Sequence, residues 1–123
     1  MVLLIGLLAL ACGASAPDGD SITNAQLHAQ IRSQQAPVIL DVRTTGEFEA
    51  GHLPGAIHIP YDELAQRLSE LPTEPEDRLV VYCHSGKRAS IAGAELNAAG
   101  YGNVIQLEGH MVGWQRSSLP TEQ

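Results

Sequence analysis

The sequence predicts an α/β fold, a parallel sheet covered by helices on both faces, on three observations. Short apolar runs of strand length recur as VIL (Val38 to Leu40), RLVVYC (Arg78 to Cys83) and NVIQLEG (Asn103 to Gly109); such runs suit strands buried on both faces. Segments with helical spacing separate them, which implies right-handed crossovers between parallel strands. Asp41, Arg43 and Cys83 wait at the carboxyl ends of two runs, the edge at which open α/β sheets bind ligands. At 123 residues the chain suffices for one domain with a core and is too short for two.

The elements follow in order. MVLLIGLLALACGASAPDGD carries an apolar run from Val2 to Ala11 and then small and polar residues, short of the roughly 20 residues that span a bilayer. It reads as the apolar core of an export signal, without a basic n-region, since the first Lys or Arg is Arg32. Cleavage fits an A-x-A pattern at Ala9 and Ala11, or at Ala14 and Ala16; alternatively ALAC, ending at Cys12, resembles a bacterial lipoprotein box whose cysteine would carry lipid and tether the protein to a membrane. An uncleaved buried helix is the remaining reading. The expected organisation is therefore a signal and linker over residues 1–16 and a domain over 17–123, with its core at about 21–119, in a protein exported to the periplasm or anchored there in a bacterium.

SITNAQLHAQIRSQ places Ile22, Leu27 and Ile31 near helical spacing, with Thr23 or Asn24 as cap. The VIL strand comes next, then a helical turn at Glu47 to Ala50, a Gly/Pro bend at Gly51 to Gly55 and an extended piece at Ala56 to Ile59. YDELAQRLSEL puts Leu64, Leu68 and Leu71 on one face of a predicted helix. After the RLVVYC strand, KRASIAGAELNAAG predicts a helix with Ile91 and Leu96 inward and a cap at Gly100. The NVIQLEG strand and a short helix around Met111 to Arg116 complete the chain.

Composition restricts the chemistry. Seven Lys and Arg against 14 Asp and Glu give a net charge of −7, so neither a nucleic-acid backbone nor an anionic membrane surface is expected as main partner, and any anion handled here requires local positive charge. Two cysteines, Cys12 and Cys83, make no disulfide framework, and the five histidines (His28, His52, His58, His84 and His110) are scattered, so no metal site is expected. A free cysteine at a strand end is often only a small buried apolar residue. Cys83, however, precedes HSGKR and then a helix; loop amides and the positive helix end converge near its sulfur and favour thiolate over thiol. Ser85 and Gly86 permit the tight turn, and Lys87 and Arg88 add charge. His84, as the next residue, is expected to point away.

Three segments in order, DVRTTGEFEAGHLPGAIHIP, VVYCHSGKRAS and GYGNVIQLEGHMVGW, resemble the single-domain rhodanese sulfurtransferases over about Ser21 to Leu119. The resemblance implies a five-stranded parallel sheet flanked by helices and a nucleophilic Cys83 that carries a persulfide. It further implies a small anionic sulfur donor such as thiosulfate, a thiol or cyanide acceptor, and no cofactor. The amides of His84, Ser85, Gly86, Lys87 and Arg88 would cradle the anion, Lys87 and Arg88 would neutralise it, and Asp41, Arg43 and Glu47 would brace loops behind the site.

Four residues separate Cys83 from Arg88. Related phosphatases and arsenate reductases have five, a wider cradle for a tetrahedral oxyanion, so the spacing argues for sulfur chemistry. A non-turnover sulfur carrier or protein-binding module is the competing reading. One departure stands out: where the family usually has two glycines, this chain has Gly109 and His110. His110 is expected as a tolerated surface loop residue rather than one at the pocket rim, and Trp114 as a core anchor.

Overall fold

A computed structural model describes residues 21–123; the expected signal or lipid-bearing segment, including Cys12, lies outside the described residues. The elements run β1 (Ser21–Ile22), α1 (Asn24–Arg32), β2 (Val38–Asp41), α2 (Thr45–Ala50), β3 (Ile57–His58), two 3-10 turns (Leu64–Gln66 and Leu68–Glu70), β4 (Leu79–Tyr82), α3 (Lys87–Ala98), β5 (Val104–Leu107) and α4 (His110–Arg116). They form one parallel five-stranded sheet in the order β1-β5-β4-β2-β3. This is the α/β architecture with helices on both faces that the apolar runs predict.

Period-two alternation in β4 divides the core between the faces. Leu79 and Val81 pack with Ala89, Ala92 and Leu96 of α3, together with Leu40, Leu64 and Leu71. Val80 and Tyr82 pack on the other face with Leu27 of α1 and Met111 and Trp114 of α4. All four β4 residues are fully buried, each contributing about 1.5–3 kcal/mol for a large apolar side chain. Their central position is what delivers Cys83 to the sheet's carboxyl edge.

Local signals fix the ends. Thr23 caps α1 reciprocally with Gln26, each side chain bonding the other's backbone N–H at 3.0 Å, a box worth about 1 kcal/mol. Ile22 belongs not to that helix but to β1, where it pairs with Leu107 and its carbonyl accepts from Glu108 N–H. The predicted helix through Leu64 to Leu71 is instead two 3-10 turns. Arg67, at φ −124 and ψ 21, breaks the α path between them, while the leucine spacing still turns Leu64 and Leu71 inward.

In α3 the prediction for Leu96 holds and that for Ile91 fails, since Ile91 is 41% exposed. The buried stripe is Ala89, Ala92, Gly93 and Leu96, a helical i, i+3, i+4, i+7 set of mostly small residues, and Ile91 lies about 200° around from Ala89. Trp114 is fully buried and its Nε1–H donates to Pro120 O at 2.9 Å. His52 and Glu122 exchange backbone bonds of 2.9 and 2.8 Å, fastening the C-terminal residues to the bend after α2.

Tyr82 provides a test of this arrangement. Its buried hydroxyl accepts from Leu53 N–H at 3.0 Å, and burial pushes its pKa well above the usual phenol value, so it stays neutral. Tyr82→Phe should leave the Leu53 N–H unpaired and lower stability by about 1–3 kcal/mol, read as a lower urea midpoint with an unchanged slope.

Candidate active site

Cys83 is the first residue after β4, and three hydrogen bonds from two segments, the end of β2 and α4, hold the backbone around it. Val42 N–H donates to Tyr82 O at 3.1 Å, Met111 N–H to Cys83 O at 3.0 Å and Val112 N–H to His84 O at 3.1 Å. The chain then turns through Gly86, whose φ of 127 and ψ of −24 suit glycine, and α3 begins at Lys87. That turn folds the loop back over the sulfur.

Two backbone N–H groups point at Cys83 Sγ, Gly86 at 3.1 Å and Ala89 at 3.3 Å. Ala89 lies in the first turn of α3, so the positive helix end and an uncommitted first-turn amide meet at the sulfur. The N–H groups of His84, Ser85, Lys87 and Arg88 find no acceptor among the described residues. Cys83 itself is only 1% exposed. His84, Ser85 and Lys87 are exposed.

The charged residues divide into two pairs. Arg88 makes a bidentate bond to Glu47, Nη1 to Oε1 at 2.7 Å and Nη2 to Oε2 at 3.0 Å. Glu47 also closes the capping box of α2, its Oε1 accepting from Thr44 N–H and Oγ1–H at 3.0 Å. The charge of Arg88 is thus committed to a protein carboxylate, and Lys87 is the loop cation with no ion pair among the described residues.

Asp41 and Arg43 form the second pair, buried beneath the loops. Arg43 Nη2 donates to Asp41 Oδ2 at 2.7 Å and to Gly51 O at 2.7 Å, while Arg43 N–H donates to Asp41 Oδ1 at 2.9 Å. Burial opposes the Arg43 charge, but the Asp41 carboxylate more than offsets this and its pKa lies above the usual guanidinium value. The pair ties the end of β2 to the bend after α2.

Two contributors were not picked out by sequence. Ala89 brings no side-chain chemistry, only an N–H that a helix beginning at Lys87 leaves free. His110 is not a surface loop residue: it is half-buried, and its Nδ1 accepts from Cys83 N–H at 3.2 Å. The signal for it was a side chain at a position that asks for a glycine's backbone freedom.

Comparison with known proteins identifies the family of the domain. The family model for rhodanese-like domains matches residues 23–117. A sulfurtransferase of Allochromatium vinosum is 33% identical over 101 residues, covering 82% of this chain and 92% of that protein. A putative sulfur carrier protein of Bacillus subtilis is 34% identical over 103 residues, but the match spans 81% of this chain and only 55% of that longer protein. Among solved structures, a rhodanese-related protein from Thermoplasma volcanium superposes with a TM-score of 0.72 at 30% identity, over 84% of this chain and 97% of that one.

The Glu47–Arg88 pair gives a pH-dependent prediction. Hydrogen bonds from Arg88 hold the Glu47 carboxyl at about 2, below its ordinary 4.5. A depressed carboxyl pKa contributes stability above about 4.5 and loses it as pH falls toward about 2. With the side chains partly exposed, screening reduces the contribution to about 1 kcal/mol. Glu47→Gln should therefore unfold at lower temperature than the parent at pH 7, and the difference should narrow as scans are taken at progressively lower pH; an undiminished gap in acid would rule the ion pair out as its source.

Proposed function

The chain belongs to the rhodanese-like domain family, and on that premise we propose that it is a sulfurtransferase that moves a sulfane sulfur from thiosulfate or a similar small anionic donor to a thiol or cyanide through a persulfide on Cys83. The observation that carries this is the pair of N–H groups, from Gly86 and Ala89, directed at a buried cysteine sulfur at the head of α3. Such donors stabilise negative sulfur and cost no reorganisation during reaction.

The steps balance as two displacements at sulfur. The Cys83 thiolate attacks the outer sulfur of thiosulfate; the Sγ–S bond forms, the donor's S–S bond breaks, and its electron pair leaves on sulfite. An acceptor thiolate, or cyanide, then attacks the outer persulfide sulfur and the pair returns to Sγ. The uncommitted loop amides would hold the donor's oxygens. With Arg88 engaged by Glu47, Lys87 is the side chain proposed to meet the donor's charge. Asp41, Arg43 and Glu47 would hold the scaffold and touch no reactant.

A second reading is a carrier that receives its sulfur from a protein partner, favoured by the likeness to a putative sulfur carrier. Both readings need the persulfide, and turnover separates them. Purified protein mixed with thiosulfate should release sulfite stoichiometrically and gain about 32 Da per sulfur, then turn over with cyanide; Cys83→Ser should lose all three while keeping its fold. A persulfide received only from a partner protein, with no sulfite released from thiosulfate, would establish the carrier. No persulfide from either source would defeat both.

The proposed setting is outside the cytoplasm, with Val2 to Ala11 as the core of an export signal that is either cleaved at an A-x-A site or, in the lipoprotein form, followed by Cys12 as lipid site. Labelling of the expressed full chain with a radioactive fatty acid should then depend on Cys12 and disappear in Cys12→Ser.

A further inference from the structure

His110 occupies a strained backbone position. It follows Gly109 at φ 79 and itself sits at φ 52, in the left-handed region that side chains with a Cβ seldom adopt. Its own contacts are with the cysteine loop. Nδ1 accepts from Cys83 N–H at 3.2 Å. The ring lies beside Gly86, where an added Cβ would stand 3.2 Å from Nε2 and 3.3 Å from Cδ2. One imidazole therefore meets both ends of the turn that carries Gly86 N–H to the sulfur.

An accepting Nδ1 carries no proton, so the neutral ring holds its hydrogen on Nε2. Burial lowers the His110 pKa and favours this form. Among the described residues Nε2 has no hydrogen-bond partner, and the ring borders a cavity of about 550 Å³ lined by Ser90, Asn97, Val104 and Gln106, all uncharged. The titratable groups on the adjoining loop and helix are the Cys83 thiol, His84, Lys87 and Glu95, with Arg88 paired to Glu47, and Glu108 precedes Gly109 on the chain.

We propose that His110 is a positioning residue for sulfur transfer: its neutral imidazole clamps the Cys83 amide against the Gly86 turn and so keeps the Gly86 and Ala89 N–H groups on Sγ. The proposal rests on the sulfurtransferase reading for its kinetic consequence, but the clamp is a statement about the loop alone. Protonation of Nδ1 removes the acceptor and sets a positive N–H against Cys83 N–H, so the clamp opens in acid.

The test compares the parent with His110→Ala and His110→Asn. Asparagine tolerates the left-handed backbone and offers an amide oxygen that accepts Cys83 N–H but does not titrate. His110→Ala should lower kcat for transfer from thiosulfate about tenfold with KM little changed, as expected for loss of alignment rather than of binding. His110→Asn should restore most of kcat. An acid limb present in the parent below the ordinary histidine value of about 6.5 should be missing in His110→Asn.

Amide hydrogen exchange followed by NMR measures the clamp without any substrate. Protection of Cys83 N–H should fall about tenfold in His110→Ala and persist in His110→Asn. Nitrogen-15 shifts of the parent ring should report the Nε2–H tautomer. Equal kcat and equal Cys83 protection in all three proteins, or coincident acid limbs in parent and His110→Asn, would overturn the proposal. If the parent transfers no sulfur, the function reading fails while exchange still decides the clamp. If His110→Ala does not fold, the acid limb and exchange of His110→Asn decide it.

Discussion

Burial of β4 on both faces is the constraint from which the site follows. A strand with Leu79 to Tyr82 fully buried has no freedom to slip register, because a one-residue shift would exchange the residues facing α3 for those facing α1 and α4. Cys83 therefore leaves the sheet at a fixed place, on the α3 side. The right-handed crossover brings the start of α3 back over that edge, and the amides of Gly86 and Ala89 reach the sulfur as a consequence of topology rather than of any specialised side chain.

The charged residues nearest the site serve that geometry first. In a chain with 14 acidic and 7 basic side chains, both arginines nearest the site are occupied by carboxylates, Arg43 by Asp41 and Arg88 by Glu47. Each pair joins separate segments: Arg43 also holds Gly51 O, and Glu47 also caps α2. Net positive character at the loop comes from uncommitted N–H groups, the head of α3 and Lys87. A local field of this kind acts over a few ångströms and leaves the acidic surface unchanged.

What the sequence disclosed follows from how far each signal reaches along the chain. The apolar runs and the CHSGKR loop are contiguous, so the three long strands, the helix after Cys83 and the thiol itself were legible. β1 was not, because two residues cannot display a period and Ile22 also fits the spacing of the helix beside it. The leucines at 64, 68 and 71 satisfy successive 3-10 turns as well as an α-helix. Ile91 misled because hydrophobicity alone pointed inward, whereas α3 approaches the sheet along a stripe of alanine and glycine. The commitment of Arg88 to Glu47 joins positions far apart in sequence, which no local pattern encodes. His110 gave half its signal: the non-glycine residue was visible, but its bond to Cys83 depends on β5 and α4 returning beside β4.

The depth of the thiol bears on which sulfur can react in the proposed cycle. Cys83 is 1% exposed, and a persulfide places a second sulfur about 2 Å further out. An incoming thiolate can in principle attack either atom of a persulfide: attack on Sγ would leave the cysteine in a mixed disulfide, while attack on the outer atom transfers sulfur and regenerates the thiolate. Enclosure of Sγ by its own loop disfavours the first course sterically. The N–H groups of Gly86 and Ala89 favour the second, because Sγ receives the returning electron pair where donors already point at it. In the proposed cycle, the same turn that buries the cysteine would thus direct the acceptor to the atom whose transfer completes the reaction.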